Sequence, residues 1–434
     1  MTTPARVIKV LANDGMDEGG LRIFRHAKVQ VDTIKVTKDR LASVVGEYDG
    51  VVVRSATKMT AEVVEAGAKG SLKIIGRQGS GTDNVDKEAT INHGIILKTS
   101  PEGNAGPTAE LAMAHIFALA RKLVPAHIET KYGQAMEIIS KIRNGELDGA
   151  DPAEVVRIIA AAEGGAWNKK KFQGISLTNR TLCIIGCGYI GKKLAAKASG
   201  IGMNVVGVDD IKDPEAHITY LNRDEAIAKA DFISIHVNGT GLILGEHEFS
   251  LMKPTAYVVN AARAENIDPD ALYHALKEGR IAGAGLDVHE GEPEKDGIAF
   301  RSRFDEFPNV IFTQHQGPTK EATAVTSADI AQYMVDFLIY RSFANAVNIA
   351  AGPGVQSARR DTTNPLLIFH DNVPRTFSQI DDVIGKHGIN IHDFVSEPMV
   401  GKKNAVTIYD LFQPPTEPLI AEISSLDRVR WVKQ

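Results

Sequence analysis

Leu182-Cys183-Ile184-Ile185-Gly186-Cys187-Gly188-Tyr189-Ile190-Gly191, with Met203-Asn204-Val205-Val206-Gly207-Val208-Asp209 a short helix later, is the stretch that decides the fold. An apolar strand ends at Gly186, where a tight turn needs a residue without Cβ. Gly188 lets backbone amides approach a pyrophosphate, Tyr189 and Ile190 open the next helix, and Gly191 lets that helix pack close. The second apolar run ends on a carboxylate, Asp209, placed for the hydroxyls of an adenosine ribose; Asp210 beside it is equally placed in the sequence. A carboxylate there repels a ribose phosphate, so the expected cofactor is NAD rather than NADP.

The rest of the chain fits around such a unit. At 434 residues it is too long for one core of ordinary size, and two or three domains are expected. A composition of 43% hydrophobic and 24% charged residues is that of a water-soluble globular protein, and a formal charge of −5 gives no sign of a nucleic-acid or membrane partner. No apolar stretch reaches the roughly 18 residues that span a bilayer, and the first residues lack a signal-type apolar core, so a cytoplasmic location is expected. Cys183 and Cys187 lie on a buried strand and its turn, with no His or further Cys at metal-ligand spacing; both are read as reduced, and no metal site is expected.

Residues 1–104 alternate β-rich runs (Val7–Leu11, Gly50–Val53, Leu72–Ile75, Gly94–Leu97) with helical patterns, which predicts a parallel sheet covered by helices. A long helix is expected from near Pro107 to about Leu123. Between Val124 and Trp167 two more helices are expected, the second opened by Asp151-Pro152-Ala153-Glu154, with Val155, Val156, Ile159 and Ala162 as its apolar face. They read as a lid or inter-subunit clasp, or as a solvent-side hairpin. Strands at 232–236, 256–260, 283–288 and 310–313 complete the nucleotide domain, and a helix runs from about Lys320 to Arg341. The expected division is a domain at 1–104 completed by 318–346, a nucleotide domain at 105–317 with its helical insertion at about 125–166, a linker at 347–365, and a βαββαβ module at 366–434. The fold class is α/β: two Rossmann-like parallel-sheet domains and a small ferredoxin-like one.

Removing a hydride from a secondary alcohol needs a base for the hydroxyl proton, a cation for the neighbouring carboxylate, and a group that tunes the base. Arg263 after Val259-Asn260-Ala261-Ala262, Glu292 in Gly291-Glu292-Pro293 and His315 in Thr313-Gln314-His315-Gln316-Gly317 offer one of each. All three follow strands of the nucleotide domain, at the ends where open α/β sheets bind ligands.

These motifs, with Gly76-Arg77-Gln78-Gly79-Ser80-Gly81-Thr82-Asp83-Asn84-Val85-Asp86 and Leu286-Asp287-Val288-His289-Glu290-Gly291-Glu292-Pro293, resemble those of the D-isomer-specific 2-hydroxyacid dehydrogenases. Within that family they are most similar to the branch that oxidises 3-phosphoglycerate at the head of L-serine synthesis. The resemblance implies His315 as general base, Glu292 as the carboxylate that pairs with it and raises its pKa, and Arg263 as anchor of the 2-hydroxy-carboxylate. It also implies Ala262 as cofactor-binding, Asp287 near the nicotinamide carboxamide, and Arg54, Ser55, Arg77, Gly79 and Asn104 as substrate-binding. The last module resembles an ACT domain, which implies His370, Asn372 and Asn390 as an L-serine site, and the family implies a homodimer or homotetramer.

Four features depart from the family pattern. Ala264 and Arg375 stand where glycine is usual, the loop Asn238-Gly239-Thr240-Gly241 is short, and the 125–166 segment is long. Action on another D-2-hydroxy acid such as 2-hydroxyglutarate, or an NAD-sensing protein without catalysis, are the rival expectations.

Overall fold

The computed structural model describes the chain except residues 1–6, 145–150, 163, 166, 217, 294–296 and 351–363. It divides into two compact units, Met1–Asn104 with Thr319–Gln434, and Ala105–Pro318.

The first unit holds a parallel sheet of β1 (Lys9–Ala12), β2 (Gln30–Asp32), β3 (Gly50–Val53), β4 (Ile74–Arg77) and β5 (Ile96–Thr99), ordered β2-β1-β3-β4-β5. Val53 pairs with Arg77, so the chain leaves β3 and β4 side by side, and the Arg54 loop and Arg77 start from neighbouring strand ends. The helix Lys320–Leu338 lays Ile330 and Met334 into the core of this sheet. The helix and the chain that follows it are tied together by buried Lys98, which donates to the carbonyls of Tyr333 at 3.0 Å and Ser342 at 2.9 Å. Burial pushes that ammonium down to about 7, with the Asp336 charge acting the other way.

The second unit is the doubly wound sheet expected from the glycine loop. Its strands are β6 (Thr181–Ile185), β7 (Asn204–Val208), β8 (Thr219–Tyr220), β9 (Phe232–Ile235), β10 (Tyr257–Asn260), β11 (Gly283–Leu286) and β12 (Val310–Phe312). The order β12-β11-β10-β9-β6-β7-β8 reverses direction between β6 and β9, and that switch point is where such sheets hold ligands. Every strand pair is parallel, so the turns after β6, β9, β10, β11 and β12 emerge on one edge.

The helix expected from Pro107 starts a turn earlier, Glu102–Ala120, with Pro107 inside it. A break at Lys122, whose φ is +50°, opens the helix Leu123–Arg143, and Asp151 caps a third helix, Pro152–Ala161, by accepting from Ala153 N–H at 3.0 Å. Val155 and Ile159 are half-buried as expected, but Val156 is 65% exposed and belongs to the open side. Among the described residues no single helix is long and apolar enough to cross a membrane.

The C-terminal module forms β13 (Pro365–Asp371), β14 (Ile391–Pro398), β15 (Asn404–Leu411) and β16 (Val429–Lys433), antiparallel in the order β14-β15-β13-β16, with helices Thr376–Lys386 and Glu417–Ser424 on one face. Leu366, Ile368 and Tyr409 pack beneath those helices. Leu367, Phe369, Val406 and Ile408 point the other way, into the core that also holds Val10, Ile74, Ile96 and Met334 of the first sheet and its covering helix. Each such side chain contributes about 1.5–3 kcal/mol by burial, so the module is built onto the first domain rather than hung from it. Trp431 Nε1 donates to the His93 carbonyl at 2.7 Å, and Lys433 Nζ to the Leu72 carbonyl at 2.6 Å. Most of the expected linker lies outside the described residues, but its first residues are structural. Buried Asn348 accepts from Leu97 N–H at 3.0 Å and donates to the Ile95 carbonyl at 2.7 Å.

Candidate active site

The glycine turn has the shape its sequence requires. Gly186 sits at φ +93°, and a Cβ there would lie 2.6 Å from the His236 backbone at the end of β9. A Cβ on Gly191 would lie 2.2 Å from the Gly186 carbonyl, so the helix Tyr189–Gly200 starts directly on the turn, whereas the space above Gly188 is open. That open space over a helix N-terminus is a cradle for a pyrophosphate. Asp209 braces it: one carboxylate oxygen accepts from Cys187 N–H at 2.6 Å and the other from Ile211 N–H at 2.8 Å. Both oxygens keep a lone pair for a ribose hydroxyl, and Asp210 is exposed, so both carboxylates stay open to the ribose. These residues fit NAD.

Along the same edge, the turn after β10 carries Arg263. Asn260 clamps it, accepting from Ala262 N–H at 3.0 Å and donating to the Arg263 carbonyl at 2.8 Å. Ala262, just before it, is buried. Fully buried Asn266 accepts from Arg263 N–H at 3.1 Å and donates to the carbonyls of Gly239 and Gly241 at 3.1 and 2.7 Å, tying the short 238–241 loop to the arginine turn. Ala264, where glycine was expected, begins a short 3-10 turn and leaves this clamp intact.

His315 and Glu292 meet: Nδ1 of the imidazole lies 2.9 Å from Oε2 of the carboxylate. The other oxygen of Glu292 accepts from His289 N–H at 2.6 Å. Burial alone would raise the Glu292 carboxyl, but these two hydrogen bonds more than reverse it and hold it below the usual range. The Glu292 hydrogen bond raises His315 above an ordinary histidine, against burial and the nearby Arg263 charge. With Nδ1 committed to the carboxylate, Nε2 is the nitrogen left to take a proton. His315 also holds a left-handed backbone, φ +50°, which costs a non-glycine residue of order 1–3 kcal/mol. Its N–H, donated to the Asp287 carbonyl at 2.8 Å, helps hold it there. Asp287, buried, accepts from Thr313 Oγ1 at 2.6 Å and from Gln316 N–H at 3.0 Å, so it organises the histidine loop.

In the first unit Arg77, Gly79 and Asn104 come together. Gly79 has φ +117°, and a Cβ there would lie 1.9 Å from Arg77 Nη1 and 3.2 Å from Asn104 Nδ2. Oδ1 of Asn104 is buried and has no hydrogen-bond partner among the described residues. The Arg54–Thr57 loop is held from both sides: Asp14 accepts from Arg54 N–H at 2.7 Å and Thr57 N–H at 3.1 Å, and Asn84 donates to the carbonyls of Arg54 and Thr57, both at 2.7 Å. Burial would raise the Asp14 carboxyl; hydrogen bonds from Lys35, Thr57 and the Arg54 backbone outweigh it and keep it lowered. Ser55 is exposed on this loop. Neither Asp14 nor Asn84 was expected in this role, although Asn84 lies within the quoted Gly76–Asp86 motif.

The expected effector residues are not gathered in one open site. His370 is fully buried, with Nδ1 2.9 Å from the Asp371 carbonyl and Nε2 2.7 Å from Thr407 Oγ1, so neither nitrogen is available to an amino acid. The cause is register: His370 is on the face of β13 that packs under the helices, its ring 5.3 Å from Phe377. Asn372 and Asn390 are exposed, and Asn372 donates to the Lys402 carbonyl at 3.0 Å.

Residues 153–317 match the model of the D-isomer specific 2-hydroxyacid dehydrogenase, NAD binding domain. D-3-phosphoglycerate dehydrogenase of Methanocaldococcus jannaschii is 32% identical over 386 residues, 87% of this chain and 66% of that protein. The protein of that name from Homo sapiens is 34% identical over 357 residues, 80% of this chain and 60% of its own length. The chain thus spans about two thirds or less of the curated relatives it matches. Among solved structures, the TT0316 protein from Thermus thermophilus aligns at a TM-score of 0.60 and 26% identity, covering 78% of this chain and 100% of its own. The NAD+-bound 3-phosphoglycerate dehydrogenase of Entamoeba histolytica shares the fold, with a TM-score of 0.59 at 23% identity over 79% of this chain and 99% of its own. The chain belongs to the D-isomer specific 2-hydroxyacid dehydrogenase family.

Proposed function

We propose that the chain is an NAD-dependent D-3-phosphoglycerate dehydrogenase, which oxidises 3-phospho-D-glycerate to 3-phosphohydroxypyruvate in the cytoplasm as the first step of L-serine synthesis. The observation that carries the reading is the His315–Glu292 pair on the nucleotide edge, with Nε2 left to accept a proton. Bound NAD supplies the acceptor for the hydride leaving C2 of the substrate. His315 Nε2 takes the hydroxyl proton as that hydride departs, and Glu292 stabilises the imidazolium that results. Arg263 opposes the substrate carboxylate, and its charge favours negative charge on the reacting oxygen. Arg54 and Arg77 suit an anion bidentately, which supports a phosphorylated acid over an uncharged one.

A homodimer or homotetramer, and L-serine as an inhibitor acting through the C-terminal module, complete the proposal. Relatives of the same name support the reaction; for serine the support is the ACT-like fold and the exposed Asn372 and Asn390, without His370.

The deciding experiment is NADH formation by the purified protein with 3-phosphoglycerate, with the product removed enzymatically so that an unfavourable equilibrium does not mask the rate. A clear rate establishes the reaction. Absence of a rate with NAD binding intact moves the substrate to another D-2-hydroxy acid such as 2-hydroxyglutarate. If no hydroxy acid in a panel is turned over, the chain is an NAD-sensing protein.

A further inference from the structure

Two loops carry the acid–base pair, and they are anchored unequally. The histidine loop is fixed by Asp287, whose main-chain carbonyl holds His315 N–H and whose side chain holds Gln316 N–H. The carboxylate loop is not fixed there: after Asp287 the chain runs through Val288, His289, Glu290 and Gly291 before Glu292, and Gly291 has φ +73°. A turn of that kind lets a carboxylate swing unless something between its ends is fastened.

The fastening is His289. Its Nε2 lies 2.7 Å from the main-chain carbonyl of Thr313, two residues before His315. A carbonyl only accepts, so Nε2 carries the hydrogen, and the ring is a donor to the histidine loop. Its own N–H is the donor to Glu292 Oε1 at 2.6 Å. The ring is bracketed by Phe300, with centroids 5.3 Å apart, and Phe312, at 5.7 Å, which limit its rotation. Thr313 is the shared node: its carbonyl receives His289, its hydroxyl donates to Asp287, and Nε2 of buried His115 lies 2.9 Å from that hydroxyl.

We propose that His289 is a positioning residue, which joins the Glu292 loop to the strand end leading into His315 and thereby keeps the carboxylate against Nδ1 of the base. Its hydrogen bonds run to Thr313 and Glu292, so it acts through them. The proposal rests on the reading of His315 and Glu292 as the acid–base pair, and asks which residue sets their geometry.

The test uses His289→Phe and His289→Gln in the full chain. Phenylalanine keeps a ring between Phe300 and Phe312 but cannot donate to Thr313; glutamine places an N–H near the position of Nε2. The expected result for His289→Phe is a fall in kcat on the order of tenfold or more, with KM for NAD and equilibrium NAD binding unchanged, and His289→Gln recovering most of the loss. Turnover of His289→Phe equal to the parent, or a loss that glutamine leaves in place, overturns the proposal. NMR titration of the His315 ring reads the same geometry without turnover. Glu292, Asp287 and Arg263 are the charges that face it. Release of Glu292 in His289→Phe lowers the midpoint of His315 toward an ordinary histidine, while His289→Gln keeps it raised; an unchanged midpoint in both sinks the idea. That titration separates the proposal from the assigned reaction: if no hydroxy acid is oxidised, the reaction is lost while the ring titration still decides the role of His289. Should His289→Phe melt before the parent, His289→Leu, which fills the space beside the two phenylalanines but likewise cannot donate to Thr313, takes its place in the titration: a lowered His315 midpoint supports the role, and a midpoint equal to the parent overturns it.

Discussion

Two histidines stand at the centre of two motifs, and the structure treats them oppositely. His315 has half its side-chain surface open, one nitrogen on a carboxylate and the other left to react. His370 has no exposed surface, and both of its nitrogens lie on neighbouring oxygens. Each stands out in the sequence by its motif. A motif identifies a residue type at a position, while its chemistry depends on which lone pairs and hydrogens the fold leaves over. The polar atoms of His315 are arranged for a reaction. Those of His370 are used up in stabilising a core.

The largest effect expected from this contrast is at His315. Replacing it by Ala removes the proton acceptor and is expected to lower kcat by about 10²–10⁴-fold, with NAD affinity by equilibrium binding unchanged. An unaltered kcat would dissolve the contrast from its catalytic side. Glu292→Gln tests the raised basicity. A general base works only when neutral, so oxidation by the parent falls away as pH drops through a value above 6.5, the ordinary histidine value from which Glu292 raises His315. The amide carries no charge, so burial then dominates, with the charges of Asp287 and Arg263 acting in opposite directions, and the midpoint moves down. The variant is expected to lose kcat on the order of a hundredfold, with its acid limb displaced to lower pH. An acid limb that stays in place would assign it to another group.

What could be read in advance follows how local the cause is. The glycine turn was legible because its logic is steric and confined to a dozen residues: Gly186 must turn, Gly191 must touch Gly186, and both do. The meeting of Glu292 and His315 was legible only through resemblance, since nothing in their separation along the chain brings them together. Asp14 escaped notice because an aspartate after a strand is an ordinary solvated turn residue; its partners, the amides of Arg54 and Thr57, are 40 and more residues away. The docking of the C-terminal module did leave a signal. Leu366-Leu367-Ile368-Phe369 is apolar on both faces of its strand, the pattern of a strand covered on two sides, and a module on a free linker would alternate apolar with polar.

At His370 the comparison predicts a cost in stability rather than a change in regulation. His370→Ala removes one of the two partners of Thr407 Oγ1, which keeps Ser396 Oγ at 2.7 Å, and opens a space beside Phe377. Unfolding free energy is expected to drop by about 1–3 kcal/mol in denaturant titration. Any inhibition by L-serine that the parent shows should persist in the variant under conditions where it is folded. Loss of serine response at unchanged stability would reverse the assignment and make His370 a ligand after all.

The smallest effect concerns the neighbouring turn. Arg375, where glycine was expected, stands at φ +71° at the head of the helix Thr376–Lys386. That conformation costs an L-residue roughly 1–2 kcal/mol, and the extra freedom of glycine in the unfolded chain offsets part of the gain from relieving it. Arg375→Gly is therefore expected to stabilise the protein by about 0.5–1 kcal/mol, seen as a small rise in melting temperature. The same substitution also sharpens the comparison of the two histidines, because His315 holds a left-handed backbone too. Relief at Arg375 with turnover unchanged would mark its strain as a local cost of this sequence. At His315 the left-handed backbone and the pairing of the imidazole with Glu292 occur together, and a backbone that relaxes there is expected to lose the pairing on which turnover depends.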